Sequence, residues 1–119
     1  MPEGVKEKNV LTKQIVNTIE DAKGKEIVTL DLRNIETSIC DFFIVCTGTS
    51  NTHVKSIEDK IKKMISKKLG EKPIHVEGSL TADWILMDYY YVVIHIFQKK
   101  TREFYKIEDF WGDAEITIH

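Results

Sequence analysis

Four histidines, two cysteines and one loop of small hydroxyl residues are the parts of this 119-residue chain with which chemistry could be done. His53, His75, His95 and His119, taken with Cys40 and Cys46, fall into none of the paired spacings that hold zinc, so no metal site is read from them. In YVVIHIF, His95 has the strand parity of Val93 and Phe97, which makes it a buried imidazole satisfied by hydrogen bonds, with Glu77 or Asp41 as its partner. A carboxylate beside a histidine also looks catalytic, but no nucleophile accompanies this pair. Cys46 sits in an apolar strand and reads as a core thiol, since reactivity needs exposure and a lowered pKa. The loop TGTS ahead of a helix would offer N–H groups to an anion, yet it lacks both the GxxxxGK[ST] cradle and the GxGxxG fingerprint, and Ser or Thr there serves equally as a helix cap. Nucleotide transfer would need an Asp-x-Asp pair on a strand to hold Mg²⁺, whereas Glu58 and Asp59 fall in a helix pattern. No catalytic residue, cofactor or metal is therefore expected, and an enzyme of the nucleotidyltransferase kind stands only as the alternative.

Binding is a better use for the stretch DWILMDYYYVVIHIF, residues 83–97. Strand parity places Trp84, Leu86 and Asp88 on one face and Ile85, Met87 and Tyr89 on the other. One face can meet the domain's own helices; the other leaves a Trp/Leu patch rimmed by Asp83, Asp88 and Glu77. Aromatic anchors in polar surroundings are the usual make-up of a binding hot spot. The competing reading is that Trp84 is ordinary core under the last helix. Lys60, Lys62, Lys63, Lys67 and Lys68 crowd a second helix and could touch RNA, although such a run is more often a solvated helix face.

The elements that must position these residues follow from periodicity. Residues 1–8 lack any period and read as a flexible tail, with residues 9–119 forming one domain. Leu11, Ile15, Ile19 and Ala22 recur at helical spacing, with Asn9 as N-cap and Gly24 after the end. Val28, Leu30 and Leu32 alternate as in a half-buried strand, while FFIVCT is apolar throughout, as a central strand covered on both faces should be. Val54, Ile57, Ile61, Met64, Ile65 and Leu69 form one helical stripe, capped by Ser50 or Asn51 and stopped by Gly70 and Pro73. The strand IHVEG then completes a βαβ pattern with two parallel strands. WILMD and YVVIHIF are too close for a crossover and must form an antiparallel hairpin. Its turn lacks Gly and Asn, so the turn type stays open, because favoured two-residue turns need positive φ. Phe104, Ile107 and Trp111 give a last helix ended by Gly112. The fold class is thus single-domain α/β, a mixed sheet flanked by helices in the order αββαβββα.

Composition sets the outer bounds. With 42% hydrophobic and 30% charged residues the chain is an ordinary globular domain, and its net charge of −2 argues against a free-standing nucleic-acid binder while suiting a basic partner. Two cysteines give no disulfide framework, so a reducing compartment is expected. The opening MPEGVKEKNV has neither signal nor transit character and no stretch of 18 apolar residues occurs, so a cytoplasmic protein without membrane contact is expected.

Several motifs in order carry a resemblance: VEG at 76–78, W-x-L-x-D-Y at Trp84 to Tyr89, VV-x-H-x-F at Val92 to Phe97, R-x-FY at Arg102 to Tyr105, W-G-D-A at Trp111 to Ala114, and the earlier CDFFIVCTGTSNTHVKSI. Over residues 9–114 the chain resembles the ribosomal silencing factor family, also called Iojap-like proteins. The resemblance implies a nucleotidyltransferase-like topology without a chemical step and often a homodimer. It implies binding to the large ribosomal subunit through its fourteenth ribosomal protein, which blocks small-subunit joining and represses translation when nutrients are scarce. Ribosomal RNA contact is left open. Carried over by position, the expected contacts are Trp84, Leu86, Asp88 and Tyr89, with His75, Glu77 and Asp83 beside them; Arg102, Tyr105, Trp111 and Asp113 match motifs whose helical setting also allows packing. One departure is visible, since the family commonly has Gly-Asp where this chain has Tyr90 and Tyr91. The patch could also pair with its own copy, making the chain a homodimeric module.

Overall fold

The computed structural model describes residues 3–119, with side chains from residue 9 onward; of the tail expected over residues 1–8, positions 1–2 lie outside the described residues and positions 3–8 have the backbone of a helix's first turns. In chain order the elements are α1 (Glu3–Asp21), β1 (Lys25–Asp31), β2 (Phe42–Gly48), α2 (Asn51–Leu69), β3 (His75–Glu77), β4 (Trp84–Asp88), β5 (Val92–Gln98), α3 (Lys99–Tyr105), α4 (Ile107–Phe110) and β6 (Glu115–Ile118). The expected order αββαβββα is present, and a one-turn helix and a sixth strand follow it.

The strands form one mixed sheet in the order β3-β4-β5-β2-β1-β6. β2 lies near the middle with all seven residues buried, as a uniformly apolar strand should. Its parallel neighbour is β5, in the register Phe43 to Val93 and Val45 to His95. The other ladders, β1–β2, β1–β6, β3–β4 and β4–β5, are antiparallel. β3 does run parallel to β2, as the βαβ pattern requires, but β4 and β5 stand between them, so the crossover through α2 spans two strands instead of joining neighbours.

α1 and α2 cover one face of the sheet. Leu11, Ile15 and Ile19 of α1, Ile57, Ile61 and Ile65 of α2, and Ile44, Ile85, Met87 and Ile94 of the strands make a single buried cluster there. Asn9 lies inside α1 and does not cap it. Ser50 is the cap of α2: its backbone is extended and its hydroxyl accepts from the His53 amide at 3.1 Å. At the other end Gly70 takes φ 67 and its N–H reaches the Ser66 carbonyl at 3.0 Å, a left-handed cap that glycine adopts without strain.

The opposite face has thinner cover. Its cluster is Leu30, Leu32, Cys40, Phe43, Val45, Val93 and Phe97, topped by Ile107 and Trp111 from the segment after β5. That segment is not the continuous helix that Phe104, Ile107 and Trp111 suggested, because Lys106 turns to φ 47 and separates α3 from α4. The break takes Phe104 off the packed stripe and leaves it 79% exposed. Arg102 clasps α3 to the sheet: its Nη1 donates to the Glu26 carbonyl at 2.7 Å and to Thr47 Oγ1 at 2.8 Å, and its Nη2 to Glu108 at 3.1 Å. Among the described residues no helix is long and apolar enough to cross a membrane.

Candidate partner-binding surface

Alternation along β4 builds the surface. Trp84, Leu86 and Asp88 are half-buried on the thinly covered face, whereas Ile85 and Met87 are sealed beneath α1 and α2. The antiparallel register sets His75 opposite Asp88 and Glu77 opposite Leu86, so the short edge strand β3 adds both side chains to the same face. His75 Nε2 and Glu77 Oε1 lie 2.8 Å apart, both exposed. Asp83 is exposed at the start of β4 and accepts from Gln98 Nε2 at 2.9 Å. Trp84, Leu86, Asp88, His75 and Glu77 therefore share one face, with Asp83 at its end.

Tyr89 does not join them. It is 4% exposed and belongs to the core cluster under the helices, so as a surface contact it is corrected: parity sends its ring to the far side, where burial pushes its hydroxyl up to about 12.

His95 underlies the patch. It is buried, as expected, but its partner is neither Glu77 nor Asp41: Trp84 Nε1–H donates to His95 Nδ1 at 3.1 Å. Glu77 is turned toward His75 instead. The bond leaves the proton of a neutral His95 on Nε2, and burial holds the imidazole down at about 4. Since the unfolded histidine titrates near 6.5, the unfolded state binds the extra proton first, and stability falls as pH drops from about 6.5 toward 4, by up to about 3 kcal/mol. Asp31, held below the usual carboxylate range by Arg33, and Glu58 lose their contributions only at lower pH. Melting curves between pH 5 and 7 should therefore show a decline in the wild type that is absent from His95→Phe.

Trp84 itself is both covered and presented. Its ring stacks on Phe97 at 4.8 Å and meets Tyr105 of α3 at 5.0 Å, so the last helices shield it only in part. The contacts continue outward from Tyr105 to Phe104 at 5.0 Å, and from Phe43 through Trp111 to Phe110. Phe104 and Phe110 are each 79% exposed, apolar surface beside Trp84 that sequence reasoning missed; helical spacing assigned Phe104 to packing. Of the other motif residues, Arg102 and Trp111 pack.

The remaining groups are structural. His53 accepts from the Thr49 amide at 2.9 Å and reaches the Ala22 carbonyl at 2.8 Å, tying the TGTS loop to the end of α1. Glu58 is sealed in α2: burial alone would push it up, but hydrogen bonds from Lys62, Ser79 and Lys55 outweigh this and hold it below the usual range. Burial pushes both thiols, Cys40 and Cys46, up to about 12, far from nucleophilic character. Among the described residues no three His, Cys, Asp or Glu side chains group to hold a metal ion.

A mixed sheet with one face packed by two helices and the other presenting a half-buried tryptophan among aromatics and carboxylates defines a single mixed α/β domain. Residues 5–119 match the family model described as "Ribosomal silencing factor during starvation". Ribosomal silencing factor RsfS of Haemophilus influenzae is 38% identical over 102 residues, covering 86% of this chain and 98% of that one. The crystal structure of a Chromobacterium violaceum protein superposes with a TM-score of 0.82 at 34% identity, over 87% of this chain and 85% of that one. Mouse "Mitochondrial assembly of ribosomal large subunit protein 1" is 26% identical over 99 residues, covering 82% of this chain and 43% of that one. The chain belongs to the ribosomal silencing factor family.

Proposed function

We propose that the chain silences ribosomes by docking, through the face of Trp84 and Leu86, on the fourteenth protein of the large ribosomal subunit, and so obstructs association with the small subunit. The observation that carries this reading is the half-buried Trp84–Leu86 patch joined to exposed aromatics and rimmed by Glu77, Asp83 and Asp88. A basic ribosomal protein is its electrostatic complement: rim charges speed and orient docking while the desolvated anchors hold it. Roughly 800 Å² on each partner would make an ordinary specific interface. Obstruction needs no chemical step, and the work is done in the cytoplasm.

The test is co-sedimentation of the purified chain with isolated large and small subunits at one fixed salt concentration, followed by a subunit-joining assay. Selective large-subunit binding with loss of joining supports the reading; equal binding to both subunits, or none, defeats it. Glu77→Lys adds a second check. Glu77 is exposed and engages only His75 among the contacts described for it, so the fold should be unchanged while affinity falls about tenfold at low salt, with the deficit shrinking as salt screens the rim.

A further inference from the structure

The hairpin between β4 and β5 turns on a tyrosine in a conformation tyrosine disfavours. Tyr90 has φ 76, and the Tyr91 amide donates back to the Tyr89 carbonyl at 3.0 Å, closing a γ-turn of the rare, strained kind. The strain is locked from several sides. Asp88 Oδ1 accepts from the Tyr90 amide at 2.7 Å, and the Tyr91 carbonyl accepts from the amides of Asp41 and Phe42, each at 3.0 Å. Glycine would take this backbone without penalty. Nor does burial account for Tyr90, which is 64% exposed, its ring set edge to face with that of Tyr91 at 4.7 Å and 88°.

A strained residue whose ring the core does not use is spent on something outside the fold. We propose that Tyr90 and Tyr91 form a second anchor, continuous with the Trp84–Leu86 face through Asp88, that receives an arginine side chain of a basic protein surface. The inference rests on the docking function proposed above and adds the chemistry of its second contact. Guanidinium groups favour aromatic faces and carboxylates, and the tip has both, with Asp88 accepting from the Tyr90 amide beside the rings and the Glu77–His75 pair on the adjoining strand. Nucleobases also stack on tyrosine, but carboxylates beside the rings repel the phosphates that accompany them. An arginine-bearing protein is therefore the better match.

The experiment titrates wild type, Tyr90→Gly and Tyr90→Phe against purified large ribosomal subunits at one low salt concentration, with a melting temperature for each. Tyr90→Gly should melt no lower than wild type, and as much as about 4 °C higher, yet bind about tenfold more weakly, while Tyr90→Phe keeps its affinity. Stability and binding moving in opposite directions is what a purely structural turn residue would not give. Unchanged affinity in Tyr90→Gly, or a melting temperature that falls with the affinity, overturns the proposal. So does an equal Tyr90→Gly deficit on protein-stripped ribosomal RNA, which would assign the rings to bases. If Trp84→Ala weakens binding and Tyr90→Gly does not, only this inference fails; if wild type does not bind large subunits, both fall.

Discussion

Gly78→Ala should melt about 15 °C below wild type and lose the Trp84–Leu86 face with it. Gly78 has φ 89, and a Cβ built there would lie 2.0 Å from the Trp84 carbonyl oxygen and 3.0 Å from its carbon. Both are backbone atoms, so no side-chain rotation relieves the clash, and β3 must separate from β4. What yields is the weaker partner, an edge strand of three residues that holds its neighbour through the pairs from His75 to Glu77. Together, strain and lost pairing cost about 3–5 kcal/mol, which in a domain of this size corresponds to a shift on the order of 15 °C. Gly70→Ala is the control. It too has positive φ, at 67, but nothing lies within 4 Å of its Cβ, so it should cost only about 1 kcal/mol. Thermal melts of the two variants separate steric exclusion from backbone preference; equal losses would show that the approach of β3 to Trp84 is not what makes Gly78 necessary.

The contrast shows what was legible in the chain. Period-two alternation in WILMD foretold which side chains face which way, and the structure agrees at every position from Trp84 to Tyr89. The contacts expected from the family resemblance include Tyr89 against that same parity, and the structure sides with parity by burying it in the core. Alternation along one strand cannot give its neighbours, so the partner of His95 was misjudged. A carboxylate is the commonest companion of an imidazole, but register sets Leu86 opposite His95 and Trp84 on the diagonal, within reach of a long side chain. β6 went unread because EITI is only four residues long and its ladder to β1 joins residues 28–31 to 115–118, a separation that local pattern does not report. The break at Lys106 was hidden for a similar reason: nothing in the FYKIEDF run marks a left-handed lysine, and only packing of Ile107 and Trp111 against the sheet reveals why the helix must restart. By contrast the caps of α2, Ser50 and Gly70, are local chemistry and were legible directly.

Trp84→Ala should weaken large-subunit binding about 100-fold, the largest effect expected of any single change on the proposed docking face. Interface energy concentrates in desolvated aromatic anchors, and Trp84 has the features of one: half-buried, held in one orientation by Phe97, Tyr105 and His95, with its remaining edge presented beside Leu86. Preorganisation means that little rotamer entropy is lost on docking. The same contacts give the variant a folding cost, on the order of 2 kcal/mol, because the ring leaves a cavity over Phe97 and strips the hydrogen bond from a buried imidazole. Affinity must therefore be measured where a melt shows the variant folded, and beside Trp84→Phe. Phenylalanine keeps most of the apolar area but not the Nε1 donor, so it should bind within about tenfold of wild type. Were folded Trp84→Ala to bind within about threefold, docking would have to run through another surface, with the exposed Phe104 and Phe110 as the next side chains to truncate. A loss in Trp84→Phe as deep as in alanine would instead assign the energy to the orientation that His95 imposes, since that bond is what the two variants lack in common.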